Sequence, residues 1–407
     1  MLAGGKTNGK NQLCHFICCR ELSHLTRSMT ATKPHGKWDK GPAVEANRAI
    51  APEELKVEFP SIDLPIRPPY PPMEARPVDT IPAGDNWIYE PKWDGFRCLA
   101  FRRDNEVLLQ SKSGQPLGRY FPEMVEALQQ LPHKQFVMDG EIVIVDGGKL
   151  SFDDLLMRIH PAESRIRKLS RDTPASYLVF DLLVDEKARE LTERPLSERK
   201  KQLQQFFKGL RNRSIRLSPM THDLKEAQRW MLELSGSGFD GVVAKRLDMP
   251  YTSGERTAMM KIKDIRSADC VVGGFRYASK GGGIGSLLLG LYDYDGKLNH
   301  VGFTSSFNIE MRAKLKPIVE KLKDGSGFTG SAPGGPSRWS TERTGEWEPL
   351  QPKLVCEVQY DHFSGGRFRH GTKFLRWRPD KDPKLCTYDQ LELRGERRSL
   401  KELGLTA

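Results

Sequence analysis

The pattern of hydrophobic and polar positions divides the chain into two regions, one that mixes strand and helix patterns and one that is mostly strand. From Trp87 to about residue 263, short apolar or alternating runs that are typical of strands are interspersed with amphipathic segments that are typical of helices. The predicted strands are Trp87–Glu90, Arg97–Arg103, Val107–Gln110, Phe136–Val145, Ser176–Leu183 and Gly241–Lys245. The predicted helices are Phe121–Leu131, Phe152–Arg158, Glu163–Leu169, Glu198–Phe207 and Leu224–Leu234. Mixed elements over this length predict an α+β domain with antiparallel sheets.

After Asp264 the pattern is mostly that of strands. The dipeptide Asp295-Gly296 favours a two-residue hairpin turn. One helix is predicted over Ile309–Lys323, and a Gly/Ser/Pro-rich loop follows over residues 324–345. The predicted strands here are Cys270–Tyr277, Ser286–Tyr294, Leu298–Thr304, Leu354–Tyr360 and Lys373–Arg378. Five short strands and one helix indicate a small Greek-key barrel of the OB type.

Together with an aperiodic N-terminal segment, these two regions divide the chain into three predicted parts. Residues 1–50 are aperiodic and basic and are predicted to be a flexible extension, in which Met29 is an alternative start. Residues 51–263 form the α+β domain, and residues 264–407 form the OB-fold domain. The proline-rich segment 65–82 is predicted to be an extended strap on the surface. No apolar run reaches the eighteen or so residues of a membrane helix, which excludes a membrane-spanning protein.

Charge and cysteine usage narrow the class further. The formal net charge of +11 suits a polyanionic partner such as nucleic acid or a nucleotide, although a basic but unspecific surface would give the same value. The seven cysteines form no CxxC pair and the nine histidines form no HxxxH pair. A structural zinc site, a disulfide framework and transition-metal catalysis therefore receive little support, and a reducing compartment fits better.

Five short segments place charged residues in or beside predicted strands. An unpaired charge in an apolar strand is costly, so each needs a reason. Lys261 and Lys263 alternate onto one face of their strand. A surface turn or a structural salt bridge explains any one segment, but their recurrence indicates one polar cleft. The segments are EPKWDGFR at 90–97, VMDGEIV at 137–143, YLVFDLL at 177–183, FDGVVAKR at 239–246 and MMKIK at 259–263.

The residue types in this cleft suggest what it binds. Several cations suit a triphosphate, carboxylates suit Mg²⁺, and an aromatic side chain suits a base. A lysine that lies among other cations and is partly removed from water has its ammonium form disfavoured, which frees the amine as a nucleophile. The residues alone thus indicate phosphate-directed lysine chemistry and go no further.

The five segments, in this order and spacing, resemble the nucleotidyl motifs of the covalent nucleotidyltransferase superfamily. The resemblance is closest to the ATP-dependent DNA ligases of the compact bacterial type. Residues 354–381, LVCEVQYDHFSGGRFRHGTKFLRWRPDK, resemble the end of the OB domain of those ligases, and the whole match covers about residues 68–385. The resemblance implies an α+β, two-domain fold, in which a nucleotidyltransferase domain of ATP-grasp-like antiparallel sheets with helices precedes an OB-fold β-barrel. It also implies an enzyme of DNA repair that seals nicks through lysyl-AMP and DNA-adenylate.

The resemblance also implies a role for each motif residue. Lys92 is the nucleophile that attacks the α-phosphate of ATP. Glu90 contacts the adenine edge and Phe180 stacks on the base. Lys245 is left open between this site and a structural strand lysine. The other implied contacts are the ribose or phosphate for Arg97, the nick phosphate or nucleotide for Lys112, the ribose and metal for Glu141, the metal for Asp240, the α-phosphate for Lys261 and Lys263, and the departing pyrophosphate for Arg378, Asp380 and Lys381.

The sequence departs from the family pattern at several of these positions. Asp240 stands where glutamate is usual, and Lys112 stands where arginine is usual, which removes a bidentate donor. The implied cofactors are ATP and Mg²⁺, with Mn²⁺ as an alternative. The implied partner is nicked duplex DNA without any membrane, and the protein is expected to be a monomer in the cytoplasm, at the nucleoid in a bacterium.

Two other functions remain open from the sequence, and two loops have a predicted role. An RNA ligase or mRNA-capping-type guanylyltransferase would share the lysine chemistry, and a non-catalytic OB-type nucleic-acid binder would retain a decayed pocket. A hinge is predicted at Asp264–Ser267. The glycine-rich segment Lys280–Gly285 lacks the GK[ST] ending of a phosphate loop and is predicted to be a hairpin or a DNA-facing loop.

Overall fold

Strands and helices alternate through the first part of the computed structural model, which describes residues 59–234, 239–278, 283–334, 346–392 and 400–403. The predicted extension at residues 1–50, with Met29, lies outside the described residues. The strands are β1 Ala75–Pro77, β2 Trp87–Trp93, β3 Phe96–Arg103, β4 Glu106–Ser111, β5 Gln135–Asp146, β6 Lys149–Leu150, β7 Ala175–Val184, β8 Ile215–Leu217, β9 Phe239–Arg246 and β10 Met259–Lys263. The helices are α1 Pro122–Gln129, α2 Phe152–Arg158, α3 Glu163–Asp172, α4 Leu196–Phe207 and α5 Leu224–Glu233.

These strands form two sheets. The first has the order β1-β10-β9-β2 and the second has the order β4-β3-β5-β7-β8. Most neighbours are antiparallel, as predicted, but β1 beside β10 and β8 beside β7 run parallel. Apolar residues spaced three apart give each covering helix one buried stripe. Leu203 and Phe206 of α4 pack into the core of the second sheet, and Ala227 and Trp230 of α5 pack against the first.

The strap prediction is wrong in one respect. The proline-rich segment is extended, but it is not confined to the surface, because Ile66 and Met73 are buried. They join a core with Leu99 and Phe101 of the second sheet and Met259 of the first. The apolar side chains between the prolines are therefore anchors, and removing them from water holds the strap between the two sheets.

The second part of the chain is the predicted barrel. Its strands are β11 Arg266–Tyr277, β12 Ile284–Tyr292, β13 Leu298–Thr304, β14 Glu348–Pro349, β15 Val355–Tyr360, β16 Phe363–Ser364, β17 Arg367–Phe368 and β18 Lys373–Trp377, and α6 Ile309–Glu320 lies between β13 and β14. The principal sheet has the order β13-β12-β11-β15-β18. A parallel bridge between Thr304 and Thr372 joins its two ends, which closes the barrel.

The connection between the two parts is short. Only Asp264 and Ile265 separate β10 from β11, so the predicted hinge lies at the junction of the sheets. In the glycine-rich segment Lys280–Gly285, residues 279–282 lie outside the described residues.

Four cysteines fall within the described residues. Cys98, Cys270, Cys356 and Cys386 are all buried free thiols, and the other three cysteines lie outside the described residues. Among the described helices, none is both long and apolar enough to cross a membrane.

Candidate active site

A cavity of about 250 Å³ lies between the two sheets and the strap. Strands β2, β9 and β10 supply one wall, and β3, β5 and β7 supply the other. This arrangement brings together residues that are up to 189 positions apart in the sequence, from Pro72 to Lys261. The lining residues that the sequence predicted are Glu90, Lys92, Arg97, Lys112, Glu141, Phe180 and Lys261, and Lys245, whose role was left open, also lines the cavity.

Lys92 lies at an irregularity in strand β2. The ladder between β2 and β9 shifts register between Pro91 and Trp93, the residues on either side of Lys92. Bulges of this kind aim a side chain away from the regular pleat. The turn that follows packs directly on β5, because a Cβ at Gly95 would collide with the carbonyl oxygen of Ile142. The glycine of the KWDG segment is thus required for close approach of the two sheets.

The amine of Lys92 has a carboxylate partner. Its Nζ lies 2.6 Å from Oδ2 of Asp240, and the two side chains are 22% and 18% exposed. Asp240 is on β9, at the position predicted to hold a metal. Gly241 follows it with φ of +134°, and a Cβ there would collide with the carbonyl oxygen of Ile262 on β10. The glycine allows β9 and β10 to pair closely at the point where Asp240 meets Lys92.

Lys261 is the unpaired cation of the cavity. It makes no ion pair with any of the described residues, and burial together with Lys112 and Lys92 nearby lowers its pKa. Lys112 is tied to Glu74 at 3.5 Å. Lys263 shares a face with Lys261 but does not line the cavity, because its Nζ lies 2.6 Å from Oδ2 of Asp361 in the barrel. Cations without carboxylate partners inside a cavity favour an anionic ligand.

The cavity lining also includes an aromatic ring, Phe180, and a buried carboxylate, Glu90. Glu90 is 2% exposed, and its Oε2 lies 2.8 Å from Nζ of Lys245. Its Oε1 is paired with Nζ of Lys200 on α4. Burial, which outweighs the nearby Glu90, lowers the pKa of Lys245 to about 8. The Lys245 ammonium also lies 4.1 Å from the centre of the Phe180 ring, so Lys245 belongs to this site rather than to a distant structural contact.

A hydrogen-bonded network explains the carboxylate that the sequence places in the apolar strand β5. Asp139 is fully buried, and its two oxygens accept hydrogen bonds of 2.6 Å each from Nε and Nη2 of Arg97. The hydroxyl of Tyr251 donates to the same carboxylate at 2.6 Å. This bidentate pairing fixes the Arg97 guanidinium 4.7 Å from the Phe180 ring centre. Beside it, burial raises the pKa of Glu141 to about 8.

A second group of chemical side chains joins the two parts of the chain. Potential metal-ligating atoms of Asp94, Asp240 and His362 lie within 4.8 Å of one another. Burial and the nearby Asp240 raise the pKa of Asp94, which is paired with Arg369 of the barrel. The sequence predicted Asp240 for a metal but named neither Asp94 nor His362. Asp94 stands within the KWDG segment and was open to prediction, whereas no pattern around His362 indicated it.

The three predicted residues at the end of the barrel are not in the cavity. Arg378 on the barrel is held by Asp269, with N–O distances of 2.9 and 3.0 Å, and by Asp380 at 2.9 Å. Lys381 lies 3.8 Å from Asp269. The barrel instead contacts the first part of the chain through three other residues, Asp361, His362 and Arg369, which face Lys263, Asp240 and Asp94 respectively. The structure therefore brings seven predicted residues together in the cavity lining and places Asp240 beside it in contact with Lys92, whereas Lys263, Arg378, Asp380 and Lys381 lie outside the cavity.

Comparison with known proteins gives the family. Residues 72–263 match the family described as ATP dependent DNA ligase domain, and residues 280–381 match the ATP dependent DNA ligase C terminal region. DNA ligase C1 of Mycolicibacterium smegmatis is 43% identical over 341 residues, which cover 81% of this chain and 96% of that protein. DNA ligase C of Mycobacterium tuberculosis is 44% identical over 350 residues, with the same coverage.

Among solved structures, a mycobacterial DNA ligase D complexed with ATP and MES is 28% identical, with a TM-score of 0.41, and the match covers 78% of this chain and 98% of that one. The predicted resemblance to bacterial ATP-dependent DNA ligases is confirmed by the two matched regions and the curated relatives. With both ligase regions matched in order and a 43% identical relative covered almost end to end, the chain belongs to the ATP-dependent DNA ligase family.

Proposed function

We propose that this enzyme seals nicks in duplex DNA with Lys92 as the nucleophile that carries AMP. The observation that supports this most is the cavity itself. It combines a lysine at a strand irregularity with an unpaired cation, Lys261, and an aromatic ring, Phe180. Binding of ATP for attack at its α-phosphate requires these three features: an amine to attack, a cation to bind the phosphates and an aromatic ring to stack on the base. Residues 51–263 would form the adenylation domain, and residues 264–407 would form the OB domain.

In the first step the Nζ atom of Lys92 attacks the α-phosphorus. The ammonium first releases one proton to solvent, the P–N bond then forms as the bond to pyrophosphate breaks, and a second proton leaves to solvent, so that the nitrogen of lysyl-AMP keeps one hydrogen. Asp240 lies at hydrogen-bond distance from that amine and is placed to orient it. Lys261 and Lys112 offset the charge of the phosphate. In this proposal Phe180 stacks on the base, Glu90 accepts from the adenine amine, Arg97 contacts the ribose or phosphate, and Glu141 contacts the ribose.

A divalent cation fits the carboxylates beside Lys92. Asp94 and Asp240 offer the oxygen ligands that Mg²⁺ prefers, and the nitrogen of His362 makes Mn²⁺ a suitable alternative. The sequence also assigned Glu141 to the metal, and that role stays a prediction. A bound ion of this kind neutralises charge on the phosphate oxygens. Lys92 and Arg369 hold these carboxylates in the arrangement described here, and their ion pairs would open when the ion binds.

The later steps require the barrel to change its position. We infer that Arg378, Asp380 and Lys381 orient the departing pyrophosphate, which needs the barrel to turn about the connection at Asp264–Ser267. Lys263 would then be released from Asp361 and would join Lys261 at the α-phosphate. After adenylylation the AMP passes to the 5′-phosphate of the nick, and the 3′-hydroxyl expels it. Binding to DNA phosphates would make affinity fall steeply with salt concentration.

The substrate panel of a nick-sealing assay tests this function. We expect sealing with ATP and Mg²⁺ on DNA strands, and no sealing with NAD. Label that comes from GTP rather than ATP would favour a guanylyltransferase, and sealing of RNA strands alone would favour an RNA ligase. Bound DNA without any covalent label would leave only a non-catalytic OB-type binder. A monomer that acts in the cytoplasm at the nucleoid remains our prediction for the setting, in line with a DNA substrate.

A further inference from the structure

One ammonium group connects the two walls of the cavity from behind. Lys200 on α4 has a side chain that is 7% exposed, and it is not among the residues that line the cavity. Its Nζ donates to the backbone carbonyl of Phe180 at 2.6 Å and is paired with Oε1 of Glu90. Glu90 belongs to the first sheet and Phe180 to the second, so Lys200 links the sheets where an aromatic ring and a carboxylate face the cavity.

The Glu90 carboxylate is held at both oxygens. Lys200 binds Oε1, and Lys245 binds Oε2 at 2.8 Å. Each carboxylate oxygen can accept more than one hydrogen bond, so an acceptor position remains for a ligand. Because Glu90 is almost fully buried, its orientation depends on these two ammonium groups rather than on solvent. Loss of Lys200 would free one oxygen and would also release the carbonyl of Phe180.

We propose that Lys200 is a positioning residue for nucleobase recognition and sets the site to take a 6-aminopurine rather than a 6-oxopurine. It does so by fixing the Glu90 acceptor at a set distance from the Phe180 ring. The exocyclic amine of adenine donates to a carboxylate, whereas the carbonyl oxygen of guanine would be repelled by it. This inference rests on the proposed function, because it assigns the base-recognising end of the same cavity.

Substitution of Lys200 by methionine, K200M, tests the inference, with K201M as its matched control. Lys201 is the next residue of α4 and is exposed. The measurements are single-turnover self-adenylylation over a range of ATP concentrations and competition by GTP. In K200M we expect the apparent KM for ATP to rise about 10-fold, with the rate at saturation within about threefold of wild type and the preference for ATP over GTP reduced about 10-fold. K201M should match wild type, and K200R should recover part of the ATP affinity.

A purely structural lysine gives a different result. If folded K200M has the wild-type KM for ATP and the wild-type preference over GTP, the inference is overturned while the proposed function stands. Should K200M fail to fold, E90Q is compared with E90Q/K200M. Neither of these variants contains the buried Glu90 carboxylate, so neither leaves it with Lys245 as its single cationic partner. A further rise of about threefold in KM is expected from release of Phe180, and equal values overturn the inference. Wild-type protein that takes no label from ATP overturns both proposals.

Discussion

Replacement of Lys92 separates its charge from its chemistry. In K92R the guanidinium keeps a positive charge for Asp240, but the nucleophilic amine is gone. In K92A both are lost. The proposed function requires that neither variant forms the covalent adenylate, so adenylylation should fall by about 10⁴-fold or more in each. Stability should respond differently, because it depends on the ion pair and not on the amine.

The size of the stability change follows from the geometry of the pair. Lys92 and Asp240 are 2.6 Å apart, but both side chains are about one-fifth exposed, so water screens much of their attraction. A partly exposed pair of this kind contributes on the order of 1 kcal/mol. For a unit of 150–250 residues, such as the matched ligase domain at residues 72–263 that contains the pair, that loss lowers Tm by roughly 2–4 °C. K92A should therefore melt slightly below wild type, and K92R should melt close to it.

The assay uses ATP labelled at its α-phosphate and follows label that stays on the protein in a denaturing gel. K187A is the matched control, because Lys187 is exposed and lies outside the cavity, and it should label as wild type does. Wild-type labelling of K92R would refute the assignment of the nucleophile. A fall in Tm of more than about 10 °C in K92A would show instead that the lost label reflects unfolding.

Three further outcomes follow from contacts described above. R378A should lose most adenylylation yet still seal a nick that already carries AMP, because Arg378 is proposed to act only on pyrophosphate; equal loss in both assays would contradict this. Burial, with cationic side chains nearby, lowers the pKa of His300 to about 4. As the pH falls below 6.5, His300 binds a proton in the unfolded chain but stays neutral in the folded chain. The free energy of unfolding should therefore drop between pH 6.5 and 4 by up to about 3 kcal/mol. H300Q should melt with a smaller shift between pH 7 and pH 5 than wild type, whereas the exposed-site control H222Q should keep the full shift. R199M should lose about 3–5 kcal/mol in denaturant unfolding, because Arg199 and Asp181 form a fully buried pair with an Nε–Oδ1 distance of 2.9 Å; a change below 1 kcal/mol would show that the site repacks.

Most of the fold could be predicted from the sequence, because the strands show a clear pattern of apolar and polar residues. The run Phe136–Val145 alternates and lies within β5. The Asp295-Gly296 dipeptide lies in the turn between β12 and β13, but that turn spans Asp293–Lys297 rather than the two residues predicted, with Gly296 at φ of +72°. Such signals are local, because they depend on side-chain period and turn geometry. The strap between Pro65 and Pro82 was misjudged as surface because its few apolar residues show no period, and only the space between the sheets gives them a partner.

The site was predictable where residues lie within a motif. Lys92 and Asp94 lie two positions apart in one short segment, so their proximity in the folded site can be predicted from the sequence. Lys200 and His362 become part of the site only through tertiary contacts, across 110 positions from Glu90 in the first case. No composition or spacing rule links a helix lysine to a distant carboxylate. The partner of the buried Asp139 carboxylate was likewise not predictable from the sequence, because Arg97 binds it from a neighbouring strand.

The buried strap has a practical meaning for anyone who trims this enzyme. The matched ligase region begins at residue 72, and a shortened protein starting there would discard Ile62, Leu64 and Ile66. Those side chains fill the interior beside Leu99 and Phe101, so their loss would open a void next to the strands that form the catalytic walls. The smallest version that still closes around a nucleotide would therefore have to start before residue 62.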